Sequence, residues 1–324
     1  MPDILVTEEV SGDALNALQN AFDVLVEPDL YRHPEKIMAA IKPCRGLIVR
    51  NQTRVTAPLI QAGHALQVIG RAGVGLDNVD VDAASGAGVV VVYTPDQNAL
   101  SVAEMTIALL LNLARRICPA DISTKSGRWR RQHFTGVELY GKTLGVIGLG
   151  RIGFLVGMRG RAFGMDIVAH DPWVSPDAAT VCELRARMVT LDELAAVADF
   201  VTCHLPATEQ TESCIDYRWL CGMKPGAYFV NTSRGQVVDE DGLIRALAEQ
   251  KIAGAALDVR RFEPPAADAL SQLENVILTP HIAAFTHEAQ RRVTAAVCQD
   301  VAAVLQGKAA THYANFARPV VREA

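Results

Sequence analysis

Three polar residues in the C-terminal half have types suited to moving a proton beside a carboxylate group. Arg234, Glu263 and His281 are separated by 29 and 18 residues, and His281 lies in the segment PHIAAFT (280–286). Histidine is the usual base near neutral pH, and a carboxylate beside it raises its basicity and holds its tautomer. Arginine offers a planar fork that recognises carboxylates. Together they predict general acid–base chemistry on an anionic substrate.

Each residue also has an ordinary structural explanation. A single histidine among apolar residues, as in NVILTPHIAAF (275–285), is usually a core residue whose ring is satisfied by backbone groups. Arg234 could be a surface ion-pair partner, Glu263 a solvated loop charge and Asp258 a helix cap. The elements that position these residues decide between the two explanations.

Short apolar runs alternate with amphipathic stretches along most of the chain, which favours parallel sheets covered by helices on both faces. A first series of runs ends near VVVVY (89–93), and a second begins at TLGVIGLG (143–150), with a long helical stretch at 101–116 between them. The fold class is therefore predicted to be α/β, with two Rossmann-like or flavodoxin-like parallel-sheet domains.

The segment GLGRIG (148–153) follows a predicted strand and opens a predicted helix. Gly148 permits a tight turn, Gly150 lets a pyrophosphate approach the backbone, and Gly153 lets the helix pack on the strand. Asp171, 18 residues after Gly153, ends the next strand; a carboxylate there accepts ribose hydroxyls and repels a 2′-phosphate. The pattern predicts a dinucleotide site that prefers NAD to NADP.

Ligands of open parallel sheets bind beyond the carboxyl ends of the strands. In the second series those ends carry polar residues, which are Asp171, His204, Ser233, Arg234, Asp258 and His281. With a hydride acceptor on the same edge, the base and the cation fit the oxidation of a 2-hydroxy acid. We expect the apolar neighbours of His281 to keep this base in a dry pocket.

Composition narrows the class of protein further. The 324 residues are enough for two domains, and the net charge of −5 with scattered basic residues does not favour a nucleic-acid partner. An acidic N-terminal segment and apolar runs shorter than about 18 residues do not favour a leader or a membrane span. Seven cysteines without a CxxC pair or metal-ligand spacing predict no metal site and a cytoplasmic location.

Seven segments together resemble the NAD-dependent D-2-hydroxyacid dehydrogenases, over nearly the whole chain. They are LIVRNQTRVT, IGRAGVGLDNVD, SVAEMTIALLL, ELYGKTLGVIGLGRIG, VNTSRGQVVDEDGL, IAGAALDV and TPHIAAFTHEAQ. The resemblance implies that Arg234, Glu263 and His281 are the catalytic residues. It also implies a set of cofactor-binding residues, which are Gly148, Gly150, Arg151, Ile152, Gly153, Asp171, His204, Thr232 and Asp258, the last at the nicotinamide amide.

The resemblance also implies an order of domains. Residues 1–99 with 288–324 would form the substrate domain and residues 100–287 the NAD-binding domain, with the active site in the cleft between them. Family members are usually dimers joined through the nucleotide domains, so we expect a homodimer. Some members carry a C-terminal regulatory domain that this sequence lacks, so feedback through such a domain is not expected.

Within the family, the segments most resemble the D-3-phosphoglycerate dehydrogenases. The resemblance implies that a substrate with an anionic tail is bound by Arg50 and Arg71, by the backbone amides of Val74 and Gly75, and by Asn98. Arg50 and Arg71 could instead form structural salt bridges. Two departures leave the substrate open: Val74 replaces a threonine typical of that branch, and Phe285 replaces a small or hydroxylated residue.

Two alternative functions remain open. The protein could reduce hydroxypyruvate or glyoxylate rather than oxidise D-3-phosphoglycerate. It could also be an NAD-sensing, corepressor-like binding protein, since some relatives of this fold bind peptides; the complete set of Arg234, Glu263 and His281 disfavours that class.

Overall fold

The structure is a computed structural model that describes residues 1–266 and 268–319. Its contacts divide the chain into two compact units, Met1–Asn98 with Phe285–Ala324 and Ala99–Ala284. The boundaries expected from the sequence, after residues 99 and 287, lie one and three residues from these. No helix in the described part of the chain is long and apolar enough to cross a membrane.

The first unit is built on a five-stranded parallel sheet with the strand order β2-β1-β3-β4-β5. This is the flavodoxin-like order of a doubly wound sheet. Apart from the partly buried edge strand β2, its apolar strand residues are buried on both faces, as expected for parallel strands. The strands are β1 (Ile4–Val6), β2 (Val24–Val26), β3 (Gly46–Val49), β4 (Val68–Arg71) and β5 (Val90–Val92).

Helices cover both faces of this sheet. They are α1 (Asp13–Ala21), α2 (Pro34–Ala40), α3 (Ala57–Ala62), α4 (Val81–Gly86) and the last helix of the chain, α12 (His287–Leu305). Thr286 caps α12, since its Oγ1 accepts a hydrogen bond from the Ala289 amide at 3.1 Å. The helix packs closely on β4 because Gly70 has no side chain; a Cβ there would lie 2.7 Å from Val301.

The second unit contains a seven-stranded parallel sheet with the order β12-β11-β10-β9-β6-β7-β8. Read in chain order this is 7-6-5-4-1-2-3, the dinucleotide-binding arrangement extended by one strand. The strands are β6 (Thr143–Ile147), β7 (Asp166–His170), β8 (Arg187–Met188), β9 (Phe200–Cys203), β10 (Tyr228–Asn231), β11 (Gly254–Leu257) and β12 (Val276–Leu278). The helices are α5 (Ala99–Arg115), α6 (Ile117–Lys125), α7 (Arg151–Ala162), α8 (Ala179–Leu184), α9 (Leu191–Val197), α10 (Tyr217–Cys221) and α11 (Glu240–Ala248).

In each central strand, the side chains of successive residues lie in opposite apolar layers. Val146 and Phe200 belong to one buried cluster, and their chain neighbours Ile147 and Val201 belong to the other. The first unit shows the same alternation in β1, where Ile4 and Leu5 lie in different clusters. Both sheets are therefore covered on both faces, which confirms the predicted fold class of two parallel-sheet α/β domains.

Candidate active site

Three neighbouring strands of the second unit bring the predicted catalytic residues to one edge. Asn231 pairs with Leu257 and Leu257 pairs with Leu278, so β10, β11 and β12 end level with one another. Arg234, Asp258 and His281 follow these strands within three residues. All three lie at the carboxyl edge of the sheet, where ligands of such folds bind.

His281 and Glu263 form a short hydrogen bond. The His281 Nδ1 atom lies 2.7 Å from Glu263 Oε2, and Glu263 Oε1 accepts the Arg260 amide at 3.0 Å. An ionised carboxylate can only accept, so Nδ1 carries the proton of this bond. The second ring nitrogen, Nε2, is then the basic atom of a neutral imidazole. The pair brings together two of the residues that the resemblance implies are catalytic.

The charge of Glu263 is favoured by its surroundings. Burial acts to raise its pKa, but this is outweighed by the hydrogen bond from His281, the Arg260 amide and the positive charges of His281 and Arg234. The pKa of Glu263 is therefore lowered from its ordinary value. At neutral pH the carboxylate is ionised and holds the tautomer of His281.

A buried carboxylate organises the turn that carries His281. Asp258 is 1% exposed, and its Oδ1 accepts hydrogen bonds from the Thr279 hydroxyl at 2.6 Å and the Ile282 amide at 2.9 Å. Its Oδ2 accepts the Ala283 amide at 2.8 Å. The His281 amide donates to the Asp258 carbonyl at 2.8 Å. Asp258 thus acts as a loop anchor, a role the sequence did not reveal.

His281 itself has a backbone conformation that is rare for a residue with a side chain. Its φ of +55° lies in the left-handed region. Such a conformation persists only where the surroundings over-determine it, and it concentrates at functional sites. The bonds to Asp258 on both sides of His281 supply that constraint.

Arg234 lies on a turn that packs against the segment leading to Glu263. Its carbonyl accepts the Asn231 side-chain amide at 2.8 Å, and its Nη1 donates to the Ser233 carbonyl at 2.8 Å. Gly235 makes the close packing possible, because a Cβ there would lie 2.0 Å from the Arg260 backbone. The turn places the arginine near enough to Glu263 to lower the pKa of that carboxyl group.

The glycine loop has the geometry that a dinucleotide requires. Gly148 has a φ of +85°, and a Cβ at Gly153 would lie 2.0 Å from the Gly148 carbonyl oxygen, so both positions need glycine. A Cβ at Gly150 would meet nothing within 4 Å, which leaves open space against the backbone. Helix α7 begins at the next residues, Arg151 and Ile152, and points its amino end at that space. These residues fit a bound pyrophosphate.

Asp171 is positioned at the end of β7 beside this loop. Its Oδ2 accepts the Leu149 amide at 2.8 Å and its Oδ1 accepts the Trp173 amide at 2.9 Å. Each carboxylate oxygen can accept a second hydrogen bond, so ribose hydroxyls can still bind there. Asp171 therefore holds the glycine loop and remains suited to the cofactor role that the sequence predicts.

Two further predicted cofactor residues follow β9 and β10. Both ring nitrogens of His204 are shielded from solvent, with no hydrogen-bond partner among the described residues. Burial lowers the pKa of His204 to about 3, so its ring is neutral. Thr232 is buried and shares a 2.8 Å hydrogen bond with the Thr106 hydroxyl. Thr106 donates to the Val102 carbonyl, so Thr232 is the donor and its oxygen can still accept.

In the first unit, the two predicted anion-binding arginines lie at neighbouring strand ends. Val49 pairs with Arg71, and Arg50 is the residue after Val49. The Arg71 guanidinium folds over Gly73, where a Cβ would lie 1.5 Å from Nη1. The half-buried residues Val74 and Gly75 continue this loop. Asn98, in the segment that follows β5, has a side-chain oxygen that is shielded from solvent and has no partner among the described residues.

Two partners of Arg50 were not found from the sequence. Glu8 is 2% exposed and follows β1; its Oε1 accepts the amides of Arg50 and Thr53, and its Oε2 accepts the Gln52 amide, at 2.8 to 3.0 Å. The Arg50 guanidinium carbon lies 4.9 Å from the ring centroid of Phe285. An acidic residue directly after a buried strand is the signal that could have identified Glu8.

The side chains of His281 and Glu263 are 37% and 33% exposed, and that of the adjacent Ile282 is 39% exposed. The dry pocket expected around this base stays a prediction. Among the described residues, no group of three or more His, Cys, Asp or Glu side chains could hold a metal ion.

Comparisons with known proteins agree with this geometry. Residues 107–283 match the family model of the D-isomer specific 2-hydroxyacid dehydrogenase, NAD binding domain. The chain is 44% identical over 317 residues to the D-3-phosphoglycerate dehydrogenase of Methanocaldococcus jannaschii, which covers 98% of this chain and 60% of that relative. The chain therefore spans about three fifths of the length of this curated relative.

Solved structures give matches of full length. The TT0316 protein from Thermus thermophilus superposes with a TM-score of 0.90 at 33% identity, covering 96% of this chain and 99% of that one. An NADPH-dependent glyoxylate/hydroxypyruvate reductase from Sinorhizobium meliloti, in complex with NADP and malonate, superposes with a TM-score of 0.87 at 30% identity, covering 99% of both chains. This chain thus belongs to the family of D-isomer-specific 2-hydroxyacid dehydrogenases, and residues 107–283 match the family's NAD binding domain.

Proposed function

We propose that this protein is an NAD-dependent dehydrogenase of D-2-hydroxy acids, acting on a substrate with an anionic tail such as D-3-phosphoglycerate. The observation that carries the proposal is the 2.7 Å pair of His281 and Glu263 on the edge of the NAD-binding sheet that also carries Arg234. A base, its orienting carboxylate and a cation are the groups that this reaction needs from the protein.

His281 handles the proton. With Nδ1 donating to Glu263, the Nε2 atom accepts the proton of the substrate hydroxyl during oxidation and returns it to the carbonyl oxygen during reduction. Glu263 stabilises the imidazolium that forms and keeps the ring from turning. NAD, when bound, supplies the hydride acceptor. The hydrogen bond of Nδ1 to Glu263 leaves Nε2 as the nitrogen that accepts the proton.

Arg234 holds the substrate. Its guanidinium donates to the carboxylate and to the oxygen at the reacting carbon, which orients the substrate and polarises the carbonyl in the reductive direction. The turn that carries Arg234 packs through Gly235 against the Arg260 backbone, and the arginine lowers the pKa of Glu263. The positive charge of Arg234 therefore serves both the substrate and the ionisation of Glu263.

The cofactor is held by the glycine loop and by residues at the strand ends. Gly148, Gly150 and Gly153, with the first turn of α7 at Arg151 and Ile152, would receive the pyrophosphate. Asp171 would accept the ribose hydroxyls and disfavour a 2′-phosphate, so we propose NAD rather than NADP. His204, Thr232 and Asp258 would complete the site near the nicotinamide. The NADPH dependence of the Sinorhizobium relative makes this choice worth measuring.

The tail of the substrate is assigned to the first unit. Arg50 and Arg71 lie at neighbouring strand ends, and we propose that they bind this tail. The amides of Val74 and Gly75 would bind the substrate carboxylate, and Asn98 would be a further substrate-binding residue. Phosphate, sulfonate and carboxylate tails all suit paired guanidinium groups. Reduction of hydroxypyruvate or glyoxylate is the second candidate, favoured by the structural similarity to the Sinorhizobium reductase.

We further propose a homodimer formed through the NAD-binding unit. This unit exposes apolar side chains in the segment between α5 and β6, where exposed apolar surface marks an interaction site. They are Ile117, Ile122, Trp129, Val137 and Tyr140, each between 39% and 79% exposed. All seven cysteines are free, which suits the cytoplasmic location we propose. Light scattering of the purified protein would test the dimer; a monomer mass would refute it.

The proposed function is tested by following NADH at 340 nm with a panel of 2-keto and D-2-hydroxy acids that differ in the tail, with NAD and NADP compared. We expect turnover with NAD and an anionic tail. His281→Asn should lower kcat by roughly 10²- to 10⁴-fold, because the base is lost, while NADH binding followed by fluorescence stays unchanged. His312→Asn, in the first unit, is the matched control. Wild-type rates in His281→Asn would refute the mechanism.

A further inference from the structure

The first unit presents Arg50 in a fixed orientation. Its backbone amide is bound to Glu8, its Nη1 donates to the Glu9 carbonyl at 3.1 Å, and the ring of Phe285 lies 4.9 Å from its guanidinium carbon. The first contact holds the backbone of Arg50, and the other two limit the rotamers of its side chain.

These contacts leave one edge of the guanidinium for a ligand. Nη1 is bound to Glu9, and no hydrogen bond joins Nε or Nη2 to another group among the described residues. Nε and Nη2 together form the fork that binds two oxygens of one anion in parallel. The Arg50 side chain is partly buried, and this burial lowers the pKa of its guanidinium. Poor hydration strengthens both a cation–π contact and an anion contact.

Phe285 is an unusual choice for a position beside an anion-binding group. The ring is 57% exposed, so it does not contribute to the core of the first unit. An exposed aromatic side chain on the face of an arginine can instead restrict how the guanidinium plane turns. Phenylalanine also has no hydrogen-bond acceptor, so its ring does not compete with an anion for Nε and Nη2 of Arg50.

We infer that Phe285 is a positioning residue for substrate selection: its ring holds the Arg50 guanidinium so that the Nε and Nη2 edge receives the two-oxygen anionic tail of the substrate. The inference deepens the proposed function and rests on it. The ligand class is a phosphate, sulfonate or carboxylate group on a 2-hydroxy or 2-keto acid. Phe285 thereby sets the preference for anionic over neutral tails through Arg50, without touching the reacting atoms.

The test compares Phe285→Leu, which keeps apolar bulk, with Phe285→Tyr, which keeps the aromatic face. KM and kcat are measured with 2-keto acids of similar length that carry a phosphate, a sulfonate, a carboxylate or an alkyl tail. Loss of a cation–π contact predicts a KM for the anionic substrates that is about two- to sixfold higher in Phe285→Leu. Phe285→Tyr should stay near wild type, and kcat and the KM of the alkyl substrate should not change.

Measurements in the Arg50→Ala variant test whether Phe285 acts through Arg50. This variant should lose the preference for anionic tails, and adding Phe285→Leu to it should change nothing further, because Phe285 acts through Arg50. An equal effect of Phe285→Leu on all tails, or an effect that persists in the Arg50→Ala background, would overturn the inference. Comparison of the three anionic tails identifies which anion the fork prefers.

A binding measurement separates this inference from the proposed function. Inorganic phosphate is titrated into the full chain, and the arginine Nε–H signals are followed by NMR in wild type, Phe285→Leu and Arg50→Ala. Weaker binding in Phe285→Leu and its loss in Arg50→Ala support the inference even if no 2-keto acid is reduced, in which case only the proposed function fails. Equal phosphate binding in wild type and Phe285→Leu would refute the role of the ring.

Discussion

Two loops, one in each unit, are anchored by a buried carboxylate that follows a strand, yet they hold their functional side chains differently. Glu8 follows β1 and binds three amides of the loop that begins at Arg50. Asp258 follows β11 and binds the Thr279 hydroxyl and two amides of the loop that carries His281. In both, a carboxylate with several acceptor sites satisfies backbone donors that would otherwise be buried without partners.

The difference lies in the side chains. The left-handed backbone of His281 is held by bonds to Asp258, and its ring is held by a charged hydrogen bond to Glu263. Arg50 is oriented by a backbone carbonyl and by an exposed ring. Proton transfer demands fixed geometry, because small displacements of a reacting group are costly in rate. Recognition of a tail tolerates a softer arrangement, and it can be altered by one surface substitution.

The largest effect should come from removing the anchor in the second unit. Asp258→Ala leaves the Ile282 and Ala283 amides and the Thr279 hydroxyl without their acceptor, and we expect a loss of about 2 to 4 kcal/mol of unfolding free energy. Displacement of His281 should also lower kcat by roughly 10²-fold or more. Urea unfolding and steady-state NADH kinetics measure the two effects. Asp166→Ala, an exposed strand carboxylate, is the control, and a wild-type kcat in Asp258→Ala would contradict the anchoring role.

Removal of the anchor in the first unit should be milder and selective. Glu8→Ala frees the amides of Arg50, Gln52 and Thr53, so unfolding free energy should fall by about 1 to 3 kcal/mol. Because the Arg50 loop shifts, the KM of an anionic substrate should rise roughly tenfold, while kcat with an alkyl-tailed substrate stays within about twofold. Glu9→Ala, which keeps the backbone carbonyl bound to Arg50, is the matched control. A large fall in kcat for every substrate would contradict the expectation that the Arg50 loop affects the binding of anionic tails alone.

The contrast between anchors and strand ends shows what the sequence can reveal. Apolar runs and the glycine spacing predicted both parallel sheets, and the strand ends predicted that Arg234 and His281 share an edge. These features depend on local pattern and on the general geometry of parallel sheets. They could be derived without any knowledge of side-chain contacts.

The anchors could not be derived in this way. Glu8 and the Arg50 amide are 42 residues apart, and Asp258 and the Ala283 amide are 25 residues apart. The contact of Arg50 with Phe285 joins opposite ends of the chain, and the φ of His281 follows from bonds on both sides of it. Each depends on tertiary packing that no local pattern encodes.

The smallest effect is expected from removing the negative charge of Glu263, the residue that pairs with His281. Glu263→Gln keeps an oxygen that can accept the Nδ1 hydrogen bond but removes the carboxylate charge. The pKa of Glu263 is lowered in the folded protein. Its charge therefore stabilises the fold at pH values above the ordinary pKa of 4.5, and this stabilisation is lost as the pH falls through the pKa of the folded protein. Because the side chain is one-third exposed, the difference should be under about 1 kcal/mol.

Urea unfolding of wild type and Glu263→Gln between pH 7 and pH 3 measures this difference. Wild type should be the more stable protein at neutral pH, and the two curves should converge below pH 4.5 as the carboxylate is protonated. Glu209→Gln, an exposed loop carboxylate, should show no such convergence. A difference that stays constant or grows in acid would mean that the Glu263 charge does not stabilise the His281 loop. The hydrogen bond alone would then hold the base, as the ring of Phe285 holds Arg50.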